Sequence, residues 1–327
     1  MTDPQNRGQR TVLVTGAAGF IGSALCRRLR SLGHRVVGYD NLSRGRREYL
    51  PQDVRLVEGD IRDAARLRET VSASKPDWLI HLAAMHFIPD CIARPQETID
   101  VNIEGTRRVL ETCRGSSVRS VIFGSSAAVY ASTDGPCVED ATPLQPLEVY
   151  GQSKLAAEQL VRTFHEETGI SSSILRFFNA IGRNETNPHV VPHIFESLQT
   201  SDEIRLGNIA PCRDYIDTRD VAEAILAVGD DSYVLRVFNV GSGVAYSVKD
   251  IVELLRRILG RTITIVQEPS RMRASERMLL AADIGKIRRA TQWTPRIPVE
   301  GTLKDMVAAY GLRSNRLGAS LEHGSDA

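Results

Sequence analysis

Residues Thr11 to Leu32 constrain the fold more than any other stretch of this chain. Thr11-Val-Leu-Val-Thr15 is short, apolar and rich in β-branched residues, the pattern of a buried strand. Gly16-Ala-Ala-Gly19-Phe-Ile-Gly22 follows at once, and Ser23 to Leu32 has the amphipathic spacing of a helix. Strand, glycine turn and helix in this order aim backbone N–H groups and the positive end of a helix dipole at one point, which suits a pyrophosphate. Gly16 allows the tight turn, Gly19 a close approach of backbone to phosphate, and Gly22 the packing of helix on strand. A second strand, Arg35-Val-Val-Gly-Tyr39, ends in Asp40, 18 residues beyond Gly22. An acid there is placed to bind the adenosine ribose hydroxyls of a dinucleotide. Its charge repels a 2′-phosphate, so NAD is expected over NADP; Arg44, Arg46 and Arg47 are the residues NADP would use, and they are read here as a solvated loop.

Strand and helix patterns continue to alternate. Strands are expected at Val54 to Glu58, Asp77 to Leu82, Val118 to Phe123 and Ser171 to Phe177. Helices are expected at Ala64 to Ser74, Glu97 to Cys113 and Tyr150 to Thr168. Such βαβ alternation implies an α/β fold, a doubly wound parallel (Rossmann) sheet with helices on both faces. Functional groups then gather beyond the carboxyl ends of the strands, where Gly16, Asp40, Ala83, Ser126 and Asn179 all fall. From about Ile181 the pattern shifts to proline-bearing loops, separate helices and short strands at Glu203 to Leu206, Val237 to Val240 and Thr262 to Gln267. A smaller C-terminal α/β lobe that holds the rest of a substrate is the expectation. The organisation expected is a dinucleotide-binding domain over residues 1–180, a mainly substrate-binding lobe over 181–312 with some segments returning to the sheet, and a disordered tail over 313–327.

Tyr150-Gly-Gln-Ser-Lys154, preceded by Ser125-Ser126, supplies the chemistry. A phenol is a poor base at neutral pH, with an ordinary pKa of about 10. A lysine four residues on lies on the same helix face one turn along, and its charge favours the phenolate. Ser126 is placed to hydrogen-bond the same substrate oxygen. Tyr150, Lys154 and Ser126 are therefore the candidate catalytic residues.

Composition narrows the class. The 41 Lys and Arg nearly cancel the 40 Asp and Glu, which gives no reason to expect a nucleic-acid partner. Five cysteines are scattered without a Cys-x-x-Cys pair, so reduced thiols and no metal site are expected. No apolar run approaches the roughly 20 residues of a membrane helix, and Met1 to Arg10 lacks the apolar core of a signal peptide. A soluble cytoplasmic protein is expected.

These features resemble the extended short-chain dehydrogenase/reductase family, and within it the nucleotide-sugar epimerase and dehydratase group. The resemblance runs from about Thr11 to Tyr310. Its markers are Thr15-Gly-Ala-Ala-Gly-Phe-Ile-Gly22, Asp40-Asn-Leu42, Gly59-Asp-Ile61, His81-Leu-Ala-Ala84, Ser125-Ser126, Tyr150 with Lys154, Arg176-Phe-Phe-Asn179, Arg213-Asp-Tyr-Ile216 and Asn239-Val-Gly-Ser-Gly243. The resemblance implies that Gly16, Gly19, Phe20, Ile21, Gly22, Asp40, Asn41, Asp60, Ile61, Leu82, Ala83, Ala84, His86, Tyr150, Lys154 and Phe177 hold NAD. It implies that Ser126, Asn179, His189, Val190, Arg213, Tyr215, Arg273 and Glu276 hold a nucleotide-diphosphate sugar, with uridine as the nucleotide. Guanidinium is also a good physical match for a pyrophosphate, which favours Arg213 and Arg273 independently.

The activity implied is epimerisation at the sugar 4-position through a transient 4-keto form. A dehydratase, a decarboxylase, a ketoreductase and a catalytically silent NAD-binding sensor are the other readings. Related 4,6-dehydratases carry an Asp-Glu pair where this chain has Ala127-Ala128, and related decarboxylases a glutamate just before a Val-Tyr pair. Alanine can be neither acid nor base, so both readings recede. His86 stands where the epimerases often have a lysine near the cofactor phosphates; phosphate donor and partly buried structural residue are equally open. Cys91 falls where a serine is common and is read as packing. His189 replaces an asparagine of the substrate loop and is read as a sugar contact or as an exposed loop residue. The helices from Glu97 and Tyr150 carry apolar residues on more than one face, Val101, Ile103, Val109 and Leu110 on one, Leu155, Ala156, Ala157, Leu160 and Val161 on the other. A second apolar face suggests a homodimer, the alternative being that both helices pack only on their own sheet.

Overall fold

Strand segments from both halves of the chain assemble side by side into one parallel sheet. The computed structural model describes residues 8–229, 234–272 and 277–313. Its strands, in chain order, are β1 (Thr11–Thr15), β2 (Arg35–Asp40), β3 (Arg55–Glu58), β4 (Trp78–His81), β5 (Ser120–Ser126), β6 (Ser171–Phe177), β7 (Asn179–Ile181), β8 (Glu203–Leu206), β9 (Cys212–Asp217), β10 (Leu235–Val240), β11 (Ala245–Ser247), β12 (Thr264–Gln267) and β13 (Leu279–Leu280). The helices are α1 (Phe20–Ser31), α2 (Ala64–Ser74), α3 (Ile88–Ala93), α4 (Pro95–Ile99), α5 (Thr106–Cys113), α6 (Val149–Thr168), α7 (Val190–Leu198), α8 (Thr218–Val228), α9 (Val248–Leu259), α10 (Gly285–Thr291) and α11 (Val299–Ala309). Seven strands form the main sheet in the order β10-β6-β5-β4-β1-β2-β3, every neighbouring pair parallel. Among the described residues no helix is long and apolar enough to cross a membrane.

The period of two along a strand divides the core. Val12 and Val14 of β1 pack with Leu25 and Leu29 of α1 and with Ile225 and Val228 of α8. Leu13, between them, faces Leu67 and Val71 of α2, Val109 of α5, and Val161 and Phe164 of α6. A third cluster joins α7, β8, α9 and α11 through Phe195, Ile204, Leu255 and Leu303.

Three expectations need adjustment. Val237 to Val240 was grouped with the short strands of the smaller lobe, but β10 extends the main sheet, pairing with β6 from Leu235↔Ser172 to Val240↔Phe177. Helix α8 packs on the same core as α1 and returns the chain to the sheet edge. The helix expected from Glu97 begins at Pro95 and carries one π-helical turn, Asp100–Gly105, before α5. The first helix starts at Phe20 rather than Ser23, because Gly19 already serves as its N-cap. The expected tail falls almost wholly on residues 314–327, which lie outside the described residues.

A buried polar network crosses the sheet beneath α6. Glu158 and Arg176, each about 1% exposed, form an ion pair in which both carboxylate oxygens are used, Nε–Oε1 at 2.9 Å and Nη2–Oε2 at 2.7 Å. Ser125 Oγ on β5 donates to the same carboxylate at 2.6 Å. Arg176 also donates to the Tyr130 hydroxyl, which donates to Asn239 Oδ1 at 2.6 Å. One network therefore fastens α6 to β5, β6 and β10. Removing one partner strands a buried charge, which costs about 3–5 kcal/mol. Glu158→Ala should lower the urea-unfolding free energy by that amount, whereas Glu158→Leu with Arg176→Met should recover most of it.

Candidate active site

The glycine turn forms because its backbone comes too close to other backbone for any side chain. Gly16 has φ +70°, and a Cβ on it would lie 2.7 Å from Ala83 N. A Cβ on Gly22 would lie 2.0 Å from Gly16 O, so α1 seats directly on the turn. Asp40 closes the turn from the side: Oδ2 accepts from Ala18 N and Oδ1 from Leu42 N, both at 2.9 Å. Burial raises its carboxyl against the pull of these two bonds. A carboxylate has about four acceptor positions, so two remain for hydroxyls. Nearby, Arg62 clamps Asp60 and holds its carboxyl down at about 2, and Asn41 donates to the same acid. The three arginines that NADP would use are committed elsewhere: Arg44 to Asp90, Arg46 to Glu48 and Arg47 to the carbonyls of Pro51, Gln52 and Val54.

β4 ends in His81-Leu-Ala-Ala84, and His81 itself is structural. Its ring bridges Thr15 Oγ1 at 2.7 Å and Thr106 Oγ1 at 3.0 Å, and burial pushes its pKa down to about 3. The neutral imidazole thus ties β1 to α5 and leaves Leu82, Ala83 and Ala84 to face the cleft. The loop continues to Met85, whose N–H and C=O are both taken by Asn102, at 2.8 and 2.9 Å. Asn102 sits in the π-helical turn, and its amide also reaches Ser153 Oγ on α6 at 2.9 Å. Single π-turns inside helices are frequent at functional sites; here the extra residue turns one amide toward the cleft loop and the Tyr150 helix together.

α6 brings the reactive residues in. A Cβ at Gly151 would lie 2.5 Å from Ala128 O, so glycine lets the first turn of the helix press on the turn after β5. Ser126 there hydrogen-bonds Tyr150, and its Oγ also accepts from Ala128 N. Lys154 is 3% exposed, with Nζ 4.4 Å from the centre of the Phe123 ring. Burial lowers its pKa to about 7, opposed by Glu158 one turn along. Burial likewise pushes the Tyr150 phenol up to about 12, with the Ser126 bond pulling it back. The sequence reading had the lysine's charge lowering the phenol; in this cleft burial is the largest influence on both groups.

All the described candidate residues line one cleft of about 1000 Å³. On the cofactor side these are Gly16, Gly19, Phe20, Ile21, Gly22, Asp40, Asn41, Asp60, Ile61, Leu82, Ala83, Ala84, His86 and Phe177, with Ser126, Tyr150 and Lys154 between. Asn179, His189, Val190, Arg213 and Tyr215 line its far side. Tyr215 Oη is buried there without a hydrogen-bond partner among the described residues. Arg273 and Glu276 lie outside the described residues. Cys91 is fully buried, as its reading as packing requires.

Several lining or supporting residues escaped the sequence reading. Arg277 is 8% exposed and donates to the carbonyls of Ala128 and Tyr130, beneath the serine turn. Nothing in the sequence separates it from its neighbours Arg271 and Arg273. Asp214, fully buried, accepts from Ser242 N, Ser242 Oγ, Gly243 N and Ala282 N, so the Arg213-Asp-Tyr-Ile216 motif pins the Gly241–Gly243 turn. In the loop before Tyr150, Glu139 is buried against Asn239 N, Asp140 pairs with Lys286 at the surface, and Glu148 lines the cleft.

A Rossmann sheet whose glycine turn and Tyr-x-x-x-Lys helix open on the same cleft defines a dinucleotide-dependent enzyme of the short-chain dehydrogenase type. Comparison narrows the class: residues 12–241 match the model of the NAD dependent epimerase/dehydratase family, and the chain belongs to that family. It is 32% identical to the UDP-glucose 4-epimerase of Corynebacterium glutamicum over 301 residues, 87% of this chain and 90% of that protein. Among solved structures it resembles the UDP-glucose 4-epimerase of Thermotoga maritima with UDP-glucose, at a TM-score of 0.84 and 28% identity, covering 92% of this chain and 98% of that one. The Thermus thermophilus UDP-glucose 4-epimerase complex with NAD gives a TM-score of 0.84 and 27% identity, covering 92% and 99%.

The lysine makes a pH test. A lysine whose folded pKa lies below its unfolded one costs the folded state nothing above about pH 10.5, and the cost grows as pH falls toward 7. Lys154→Met should therefore raise the melting temperature of the cofactor-free protein at pH 7, by about 2–4 °C for each kcal/mol recovered. The gain should shrink as pH approaches 10. An equal gain at both pH values would assign it to packing instead.

Proposed function

We infer that this chain is an NAD-dependent epimerase that inverts the 4-position of a nucleotide-diphosphate sugar, most simply a UDP-sugar. One observation carries the reading: Ser126, Tyr150 and Lys154 line the same cleft as the glycine turn and Asp40. The turn fits NAD because its glycines clear the space that side chains would fill, and Asp40 keeps acceptor positions for ribose hydroxyls. NAD, when bound, supplies the hydride acceptor and a positive ring charge that favours the phenolate.

Tyr150 then takes the proton of the sugar 4-hydroxyl and later returns it, so no proton is consumed over a cycle. Ser126 holds the same oxygen. Lys154, when protonated, favours with its positive charge the phenolate that accepts this proton. Asn179, His189, Val190, Arg213 and Tyr215 hold the nucleotide diphosphate half, with Arg273 and Glu276, and keep it in place while the sugar turns.

A homodimer completes the proposal. Val101, Ile103, Leu155, Ala156 and Leu160 are only half-buried, and Ile92 and Ile99 beside α6 are exposed at 61% and 38%. Such a face supports helix-to-helix pairing between two copies. Light scattering at micromolar concentration should give twice the chain mass.

Catalysis is tested on a panel of nucleotide sugars without added cofactor. One member should be converted to a product of identical mass that differs only at the 4-position. Tyr150→Phe should retain NAD and the fold but lose at least ~100-fold in turnover. A product lighter by one water would replace epimerisation with elimination and point to Glu148.

A further inference from the structure

Where the cofactor and substrate sides of the cleft meet, His86, Glu185 and His189 come together, each half-buried, with one ligand-capable atom from each within 4.8 Å of the others. We propose that this trio binds a divalent transition-metal ion, zinc being the ion it suits best. Two imidazoles and one carboxylate are a ligand set known for zinc sites that keep a position open. Donor atoms on a four-coordinate zinc at about 2.1 Å stand about 3.4 Å apart. The trio is thus at most about 1.4 Å too open, a gap that side-chain rotation closes.

The surroundings supply what a metal site needs beyond its ligands. Asn187 is 3% exposed and sits between two of them: Nδ2 lies 3.0 Å from His86 Nε2 and 3.3 Å from Glu185 Oε1. Its Oδ1 is buried without a partner. A metal-bound imidazole usually donates its second ring N–H to a carbonyl oxygen, which fixes the ring. With Glu185 turned onto the metal and the Asn187 amide turned over, Oδ1 accepts from His86 Nε2–H. His86 Nδ1 is then free for the ion, and the orphaned oxygen is satisfied by the same movement.

Charge and position favour a shared site. The trio contributes one negative charge against the ion's two, leaving an excess that draws an anionic ligand. His189 is also the N-cap of α7, whose first N–H groups favour an anion. The open position therefore faces an oxygen-bearing anion such as a phosphate or a sugar carboxylate, and the metal adds a contact that hydrogen bonds alone would not give. The site stands on these residues whether or not the reaction is epimerisation.

Zinc itself is the probe. The chelator-treated full chain, titrated with zinc and then desalted, should retain one ion per chain by elemental analysis, and cobalt should give the visible absorption of a low-coordinate site. Glu185→Gln and His189→Ala should each weaken zinc binding at least 10-fold, with melting temperature and NAD binding checked to show the fold is kept. Asn187→Ala should weaken it about 10-fold through His86. A wild-type chain that retains no stoichiometric zinc, or both ligand variants retaining it as well as wild type, would overturn the proposal.

Discussion

The Glu158–Arg176 pair is the interaction on which the geometry of the site depends. Buried ion pairs often add little stability over apolar residues of the same size, because desolvation cancels much of the attraction. What this one provides is position. Glu158 lies on α6 one turn beyond Lys154 and two turns beyond Tyr150, and its carboxylate is fixed by Arg176 on β6 and Ser125 on β5. The rotation of α6 about its own axis is thereby set from the sheet. An apolar contact would tolerate a few degrees of roll; a carboxylate held by three hydrogen bonds does not. Asn102 and Gly151 then fix the near end of the same helix, against the Met85 loop and the serine turn respectively.

Much of this arrangement was legible in the sequence because it depends on local rules. The glycine spacing, the βαβ alternation and the Tyr150–Lys154 spacing each follow from a few adjacent residues, and all the candidate residues that can be placed line one cleft. What escaped was long-range. Glu158 reads as an exposed helical acid until Arg176, 18 residues on, is known to face it. Asn102 looks like a poor helix former, and only the π-turn shows why an amide belongs there. β10 was misplaced for a similar reason: six residues of strand do not announce which sheet they join, and the packing of α8 on α1 decides it.

Electrostatics were legible in sign but not in balance. Placing a lysine near a tyrosine suggests a lowered phenol pKa, and that inference assumes solvent keeps the lysine charged. Here Lys154 lies over the Phe123 ring and under the sheet, so it is desolvated along with its partner. Burial therefore favours the neutral form of both groups. In the proposed reaction a phenolate that forms only once the cleft is filled is a base only where the substrate is, which limits proton loss to water.

The serine turn gives the same separation of roles. Ala127 and Ala128 are 2% and 6% exposed, wedged between Gly151 and a core that includes Phe178 and Leu280, and Arg277 holds their carbonyl side. An acidic side chain at Ala128 would have to share that space with the first turn of α6 and bring a charge close to the Ser126–Tyr150 hydrogen bond. The packing therefore keeps titratable side chains at positions 127 and 128 off this wall of the cleft, which leaves Tyr150 as the proton carrier of the proposed reaction. Among the described residues, Glu148 at the cap of α6 and Glu185 beside two histidines line the cleft, along with Asp40, Asp60, Asp90 and Glu97. Chemistry that needs a second acid or base must reach it from those edges, whereas proton exchange at a single hydroxyl needs only Tyr150.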